Sequence, residues 1–274
     1  MQATWVNGTA TDQINIADRG LGYGDGVFET IAVIGGYPQR LPQHLSRLAY
    51  GLARLGFPDQ VASQVELDLA QLPLCGDQTV KVIVTRGKGL RGYAPPQTVS
   101  ATRIITVAER ALNTEKMEKG VVARVCDYRL PLNPALAQLK HLNRLDQVMA
   151  RAEWQDPNIS EGVMLDAEGF VVEGTMSNLF WYDPEKGEVQ TPLLDRCGVK
   201  GVMRDHLIGV LKRENISVVE GRFLPSVLMQ ANDLFMCNSL IGLWPIVTLD
   251  NKHYDVGPIT RLLQSILQRE IDCE

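Results

Sequence analysis

Val27-Phe-Glu-Thr-Ile-Ala-Val33, closed by Gly35-Gly36 and followed from Gln43 by Leu45, Leu48, Leu52 and Leu55, carries the reading of the fold. β-Branched and aromatic residues suit a pleated, half-buried surface, so Val27–Val33 is expected to be a strand. The glycine pair tolerates positive φ and turns the chain back over Tyr37–Leu41. The leucines recur with a helical period, which predicts a helix over Gln43–Leu55. Strand, turn, strand and amphipathic helix in succession open an α/β domain. Outward from this stretch, Val61–Leu72 is expected to be a second helix, and Thr79–Thr85 and Ala101–Ala108 two further strands. Between those strands lies Arg86-Gly-Lys-Gly-Leu-Arg-Gly-Tyr-Ala-Pro-Pro96, whose glycines and prolines mark a loop of unusual mobility or shape.

Leu112–Gly120 is polar and charged and has no apolar period. The expected division is therefore a first α/β domain over 1–113, a linker over 114–120 and a second α/β domain over 121–274. Within the second, Val121–Val125 opens as a strand, and Pro131 and Pro134 make Tyr128–Leu139 irregular. His141–Trp154 reads as a helix with Leu142, Leu145, Val148, Met149 and Ala152 on one side. Gly162–Leu165 and Phe170–Trp181 read as a hairpin around Asp166-Ala-Glu-Gly169. Gly201–Leu211 and Pro225–Ala231 are expected to be helical, and Leu234–Met236 and Pro245–Leu249 to be short strands around a turn. Pro258–Ile271 closes the chain as a helix, with proline where a missing N–H costs nothing.

The 274 residues carry 27 Lys plus Arg against 32 Asp plus Glu, a formal charge of −5, with 45% hydrophobic residues. This is too apolar for a disordered chain and implies no basic stripe for nucleic acid. No apolar run reaches membrane-span length, and no basic-then-apolar leader is visible. The five cysteines are scattered without a Cys-x-x-Cys pair and read as reduced thiols of a cytoplasmic protein. The four histidines form no ligand cluster, so no metal site is expected.

Several residues can carry chemistry. Lys140 sits between a proline-containing segment and an expected helix start. A lysine there can point into a cleft and, once kept from water, form a Schiff base, or it can be an ordinary surface lysine. Glu173 lies in Phe170-Val-Val-Glu-Gly-Thr-Met-Ser-Asn-Leu-Phe180, apolar surroundings in which a carboxylate needs a cationic or protonated partner unless it faces solvent. Gly198-Val-Lys-Gly-Val-Met-Arg204 resembles a helix entry whose free N–H groups suit a phosphate, without the spacing of a nucleotide-binding loop. Cys237-Asn-Ser239 can add amide and hydroxyl donors or be a plain polar turn. His44 and Arg47 share a helix face off the leucine stripe, either solvated or holding a phosphate. Arg91 can reach a substrate carboxylate from its loop, and Asp25 or Glu29 can fix neighbouring groups.

Taken in order, these segments resemble the fold-type IV pyridoxal-phosphate enzymes, the family of branched-chain and D-amino-acid aminotransferases and aminodeoxychorismate lyases. The resemblance runs through Asp18-Arg-Gly-Leu-Gly-Tyr-Gly-Asp-Gly-Val-Phe-Glu-Thr30, His44-Leu-Ser-Arg-Leu48, Lys140-His-Leu-Asn-Arg-Leu145, Glu173-Gly-Thr-Met-Ser-Asn178 and Gly198–Arg204. It covers nearly the whole chain. It implies a mixed α/β, two-domain fold with pyridoxal 5'-phosphate between the domains and most cofactor contacts in the second. It assigns Lys140 to the covalent link and Glu173 to the pyridine nitrogen. Arg47, the amides near Val202 and Met203, and Ser239 fall to the phosphate, with no metal. Thr30 becomes a polar contact near the reacting centre and Arg91 a substrate-carboxylate partner. A homodimer acting on a small molecule, apart from membranes and nucleic acid, is the implied state.

Within the family, Lys140-His-Leu-Asn-Arg-Leu-Asp-Gln-Val148 and Arg86–Tyr93 resemble the lyases of bacterial folate synthesis. The Arg-x-His pair of D-amino-acid aminotransferases is missing, since Gly92 and Tyr93 follow Arg91. Leu145 stands where branched-chain enzymes usually carry tyrosine. Ser239, often threonine in aminotransferases, keeps the hydroxyl and does not separate the classes. A D-amino-acid or branched-chain aminotransferase is the alternative expectation.

Overall fold

The computed structural model describes residues 3–89, 91–111 and 114–272. Leu90 of the glycine loop, Leu112 at the start of the polar stretch, residue 113 at the expected domain boundary and Cys273 lie outside the described residues. The chain divides into two compact units. One comprises Met1–Ala111 with Leu139–Asn143, and the other Leu112–Gln138 with Arg144–Glu274.

The first unit contains β1 (Ala3–Val6), β2 (Thr9–Ala10), α1 (Arg19–Tyr23), β3 (Gly26–Ile34) and β4 (Tyr37–Pro38). Then come α2 (Leu41–Arg54), α3 (Gln60–Ala70), β5 (Gln78–Thr85) and β6 (Thr102–Glu109). The strands form a six-stranded antiparallel sheet in the order β2-β1-β6-β5-β3-β4. Strand alternation divides β3 into two faces. Val27, Ile31 and Val33 pack with Leu48 and Leu52 of α2 and Val61 and Val65 of α3. Phe28 and Thr30 point the other way and are only partly buried. The turn that closes β3 onto β4 uses positive φ at both Gly35 (58°) and Gly36 (92°), as the glycine pair predicts.

The second unit contains α4 (Thr114–Lys119), β7 (Val121–Leu130), α5 (Leu145–Arg151), β8 (Ile159–Asp166), β9 (Val171–Gly174), β10 (Asn178–Asp183) and β11 (Glu188–Pro192). It continues with α6 (Val202–Arg213), β12 (Ser217–Gly221), β13 (Asp233–Asn238), β14 (Gly242–Leu249), β15 (Lys252–His253) and α7 (Pro258–Asp272). The nine-stranded sheet runs β12-β11-β10-β13-β14-β7-β8-β9, with β15 on β14. β11 and β12, β14 and β7, and β7 and β8 pair in parallel, so the sheet is mixed. α6 and α7 bury Leu207, Leu211, Leu263 and Leu267 against Phe180 and Phe235. The mixed α/β class read from the sequence is the class observed.

Several local expectations are corrected. The polar stretch 114–119 is helical, and Met117 packs onto the core. β7 runs on to Leu130, so only the part of Tyr128–Leu139 beyond it lacks strand. The helix expected over His141–Trp154 is only Leu145–Arg151. Its start is lost to strand-like pairing, since the Phe28 N–H donates to the Lys140 carbonyl at 2.9 Å and the Leu142 N–H to the Gly26 carbonyl at 3.0 Å. Its apolar stripe faces outward: Leu145, Val148 and Met149 are exposed. The expected strand Phe170–Trp181 is broken between β9 and β10. Pro225–Ala231 reduces to a 3-10 turn at Pro225–Val227, and β13 and β14 are longer than expected.

Candidate active site

In the first unit, the Lys140 ammonium stands 4.3 Å from the centre of the Phe28 ring. Backbone pairing of residues 140 and 142 with β3 fixes the lysine's origin, and the ring offers a cation a negative π face. Thr30, two residues beyond Phe28, shares that sheet face. Lys81, whose Cα pairs with Thr30, brings a second ammonium to 5.7 Å from the Phe28 ring. Sequence reading missed Lys81, although the alternation of Thr79–Thr85 places it opposite the buried Val80 and Val82.

Glu29 occupies the core face of β3. Its Oε2 is 2.7 Å from His44 Nδ1, and Arg47 donates from Nε to Oε1 at 2.7 Å and from Nη2 to Oε2 at 2.5 Å. His44 and Arg47 share one helix face, as their spacing predicts, and that face points at a carboxylate. Burial alone would raise the Glu29 carboxyl, but the charges and hydrogen bonds of Arg47 and His44 outweigh it and hold it below its ordinary 4.5. A lowered carboxylate stabilises the fold above its unfolded pKa and loses that contribution as pH falls through the folded value. Glu29→Gln is therefore expected to destabilise the protein by about 3 kcal/mol near neutrality. Denaturant titrations should show the gap from the unmodified protein closing below pH 4.5. A gap unchanged across that range would contradict the assignment.

In the second unit, Glu173 is buried on β9 and its Oε2 accepts the Val199 N–H at 2.8 Å. Asn178 at the head of β10 donates from Nδ2 to the Val199 carbonyl at 2.9 Å. Asn238 donates from Nδ2 to the Met176 carbonyl at 3.0 Å. The structure thus knits together Glu173, the approach to α6 and the turn bearing Ser239. The break between β9 and β10 has its own organiser, which the sequence did not reveal. Buried Glu161 accepts from the Thr175 and Ser177 hydroxyls and the Gly162, Thr175 and Met176 N–H groups. Burial pushes its carboxyl up despite these donors. Cys237, beneath the Ser239 turn, is buried and its thiol is pushed up to about 12, which makes it inert.

The donor set can be tested against a phosphate-bearing pyridine. Gly201 caps α6 with no side-chain hydrogen bond, leaving the first-turn amides of Val202, Met203 and Arg204 beyond the reach of the helix's own ladder. A Cβ at Gly201 would lie 2.1 Å from Asn178 Oδ1, so glycine keeps the approach to this helix end narrow and bare. Such an end suits a phosphate. Glu173 Oε2 accepts a backbone N–H, and an ionised carboxylate can accept several hydrogen bonds, a pyridine-ring N–H among them. The residues present fit pyridoxal phosphate.

Residues 26–249 match the family model described as amino-transferase class IV, and the chain belongs to that family of fold-type IV pyridoxal-phosphate enzymes. A crystal structure of 4-amino-4-deoxychorismate lyase from Pseudomonas aeruginosa is similar over 98% of this chain and 99% of its own, with a TM-score of 0.92 and 43% identity. A Vibrio harveyi protein named aminodeoxychorismate lyase is 35% identical over 96% of this chain and 98% of its own. A putative branched-chain-amino-acid aminotransferase of Methanocaldococcus jannaschii is 30% identical over 95% and 93%. The chain is thus related to lyases and aminotransferases alike, and homology supports catalysis with pyridoxal phosphate. Among the described residues, no helix is long and apolar enough to cross a membrane.

Proposed function

We propose that this protein converts 4-amino-4-deoxychorismate to 4-aminobenzoate and pyruvate, as an aminodeoxychorismate lyase in the cytoplasm. The observation that carries the reading is the 43% identity to the Pseudomonas lyase across the length of both chains. The Lys140–Val148 wording and the absence of Arg-x-His after Arg91 support it. Pyridoxal phosphate, when bound, supplies an aldehyde that takes up an amine and a ring that accepts electrons.

The chain's own residues supply the rest. Lys140 Nζ anchors the cofactor and, once released, takes the proton from the substrate carbon that bears nitrogen. Glu173 holds a proton at the pyridine nitrogen. The Val202 and Met203 amides, Ser239 and Arg47 bind the phosphate. Arg91 binds a substrate carboxylate and Thr30 lies beside the reacting carbon. The electrons of the broken C–H bond move into the substrate ring and expel the enolpyruvyl oxygen on the neighbouring carbon. The enol takes up a proton to become pyruvate, so the two products contain every atom of the substrate.

A homodimer completes the reading. The exposed Leu145, Val148 and Met149, at helical spacing on α5, give it an apolar seam. Sedimentation of Leu145→Glu/Val148→Glu is expected to show a shift from dimer to monomer. A dimer of unchanged stability would place the interface elsewhere. The aminotransferase alternative draws on the Methanocaldococcus relative. Supplying D-alanine or a branched-chain amino acid with 2-oxoglutarate tests it: little glutamate is expected, and rapid glutamate formation would move the protein to that branch.

A further inference from the structure

We infer that Arg19 is a positioning residue for Arg91, its buried guanidinium shaping the loop that presents Arg91 to an anionic substrate. The inference rests on the lyase reading, in which Arg91 meets a substrate carboxylate. Arg91 is exposed and makes no hydrogen bond or ion pair among the described residues. Its own contacts therefore do not fix where it points, and the residues after it do.

Arg19 Nη1 donates to the Gly92 carbonyl at 3.0 Å and the Ala94 carbonyl at 3.4 Å, and Nη2 to the Tyr93 carbonyl at 2.9 Å. Three consecutive carbonyls turned onto one guanidinium give the loop a defined shape. The base of the loop is held by the same segment. The Arg19 N–H donates to the Gly87 carbonyl at 2.9 Å, and the Gly89 N–H to the Ala17 carbonyl at 3.4 Å. The Tyr23 ring stacks on the guanidinium at 4.9 Å and meets the Tyr93 ring at 5.4 Å.

The clamp is itself anchored. Arg19 Nε donates to Asp25 Oδ2 at 2.8 Å, and Arg86 Nε donates to both Asp25 oxygens. Burial would raise the Asp25 carboxyl, but Arg86 and Arg19 hold it below its ordinary value. Arg86 in turn donates to the Leu55 carbonyl at 2.6 Å and lies 4.2 Å from the Phe57 ring. Support runs from the end of α2 through Arg86, Asp25 and Arg19 to the carbonyls beside Arg91. A planar fork reaches four acceptors at once, which a lysine ammonium on a flexible stem cannot. Ordering the loop before substrate arrives removes an entropic cost from binding.

The test uses cofactor-loaded protein and two variants. Arg19→Lys keeps the charge and loses the fork. Gly89→Ala keeps every charge, but its Cβ would lie 2.6 Å from Arg19 Cδ and push the clamp aside. Each is expected to raise KM for aminodeoxychorismate about tenfold with little change in kcat. Neither should lower kcat/KM further once Arg91→Ala is present. Trypsin cleavage after Arg91, followed by mass spectrometry at unchanged melting temperature, should accelerate several-fold in both. Additive losses in the Arg91→Ala background, or cleavage at the unmodified rate, would overturn the inference. Failure of the unmodified protein to form 4-aminobenzoate would instead reject the lyase reading, while cleavage still decides the clamp.

Discussion

Lys140→Ala is expected to reduce turnover by about 10⁴-fold or more while the protein remains folded. The backbone at this position is held by the bond from the Phe28 N–H to the Lys140 carbonyl, which alanine keeps. What disappears is the amine over the Phe28 ring, and with it two roles that no other residue type fills together. A lysine forms a reversible covalent link to an aldehyde and, once displaced, is a base tethered beside the carbon it must deprotonate. The proposed phosphate contacts near Val202 and Ser239 are untouched, so the variant should still bind cofactor. Borohydride reduction of the unmodified protein and peptide mapping should place the cofactor on Lys140. A label on Lys81, whose ammonium lies 5.7 Å from the Phe28 ring centre, would move the anchor to β5. Turnover of Lys140→Ala at the unmodified rate without added amine would reject the mechanism.

Glu173→Gln is expected to slow proton abstraction by about 10²–10³-fold with far less effect on cofactor occupancy. Glutamine keeps the size and an oxygen for the Val199 N–H, but lacks the charge that holds a proton on a pyridine nitrogen. Val171 and Val172 are buried beside it, and a charge interaction kept from water is stronger for that reason. Glu173 also supports a neighbour. Burial holds the Arg144 guanidinium below its ordinary range, and the charges of Glu173 and Asp146 oppose that. Removing one of these two carboxylates leaves Arg144 with Asp146, so the fold should survive. Single-turnover measurement of substrate C–H cleavage, run alongside cofactor titration, separates chemistry from binding. Unchanged cleavage at full occupancy would show that Glu173 acts elsewhere.

The residues behind these predictions differ in how legible they were. The two faces of β3 follow from alternation, and the positive-φ turn at Gly35-Gly36 from the absence of Cβ. Glu29 was readable as a group that fixes its neighbours. Its place inside the core was not, because one carboxylate in an apolar strand is equally compatible with either face until α2 is docked. α5 misled for the opposite reason. Periodicity reports that Leu145, Val148 and Met149 share a side, but not whether that side meets this chain or a second copy. Arg19 was visible as part of a motif, yet its role depends on carbonyls more than seventy positions away, and backbone atoms have no sequence signature. Glu161 was hidden likewise, because its partners are the amides and hydroxyls of a turn that reads as continuous strand.

The most direct test supplies purified, cofactor-loaded protein with 4-amino-4-deoxychorismate and measures both products as they form. 4-Aminobenzoate and pyruvate are expected in equal amounts from the first turnover, with no keto acid added. Pyruvate without 4-aminobenzoate, or neither product from fully loaded protein that readily transfers amino groups to 2-oxoglutarate, would contradict it.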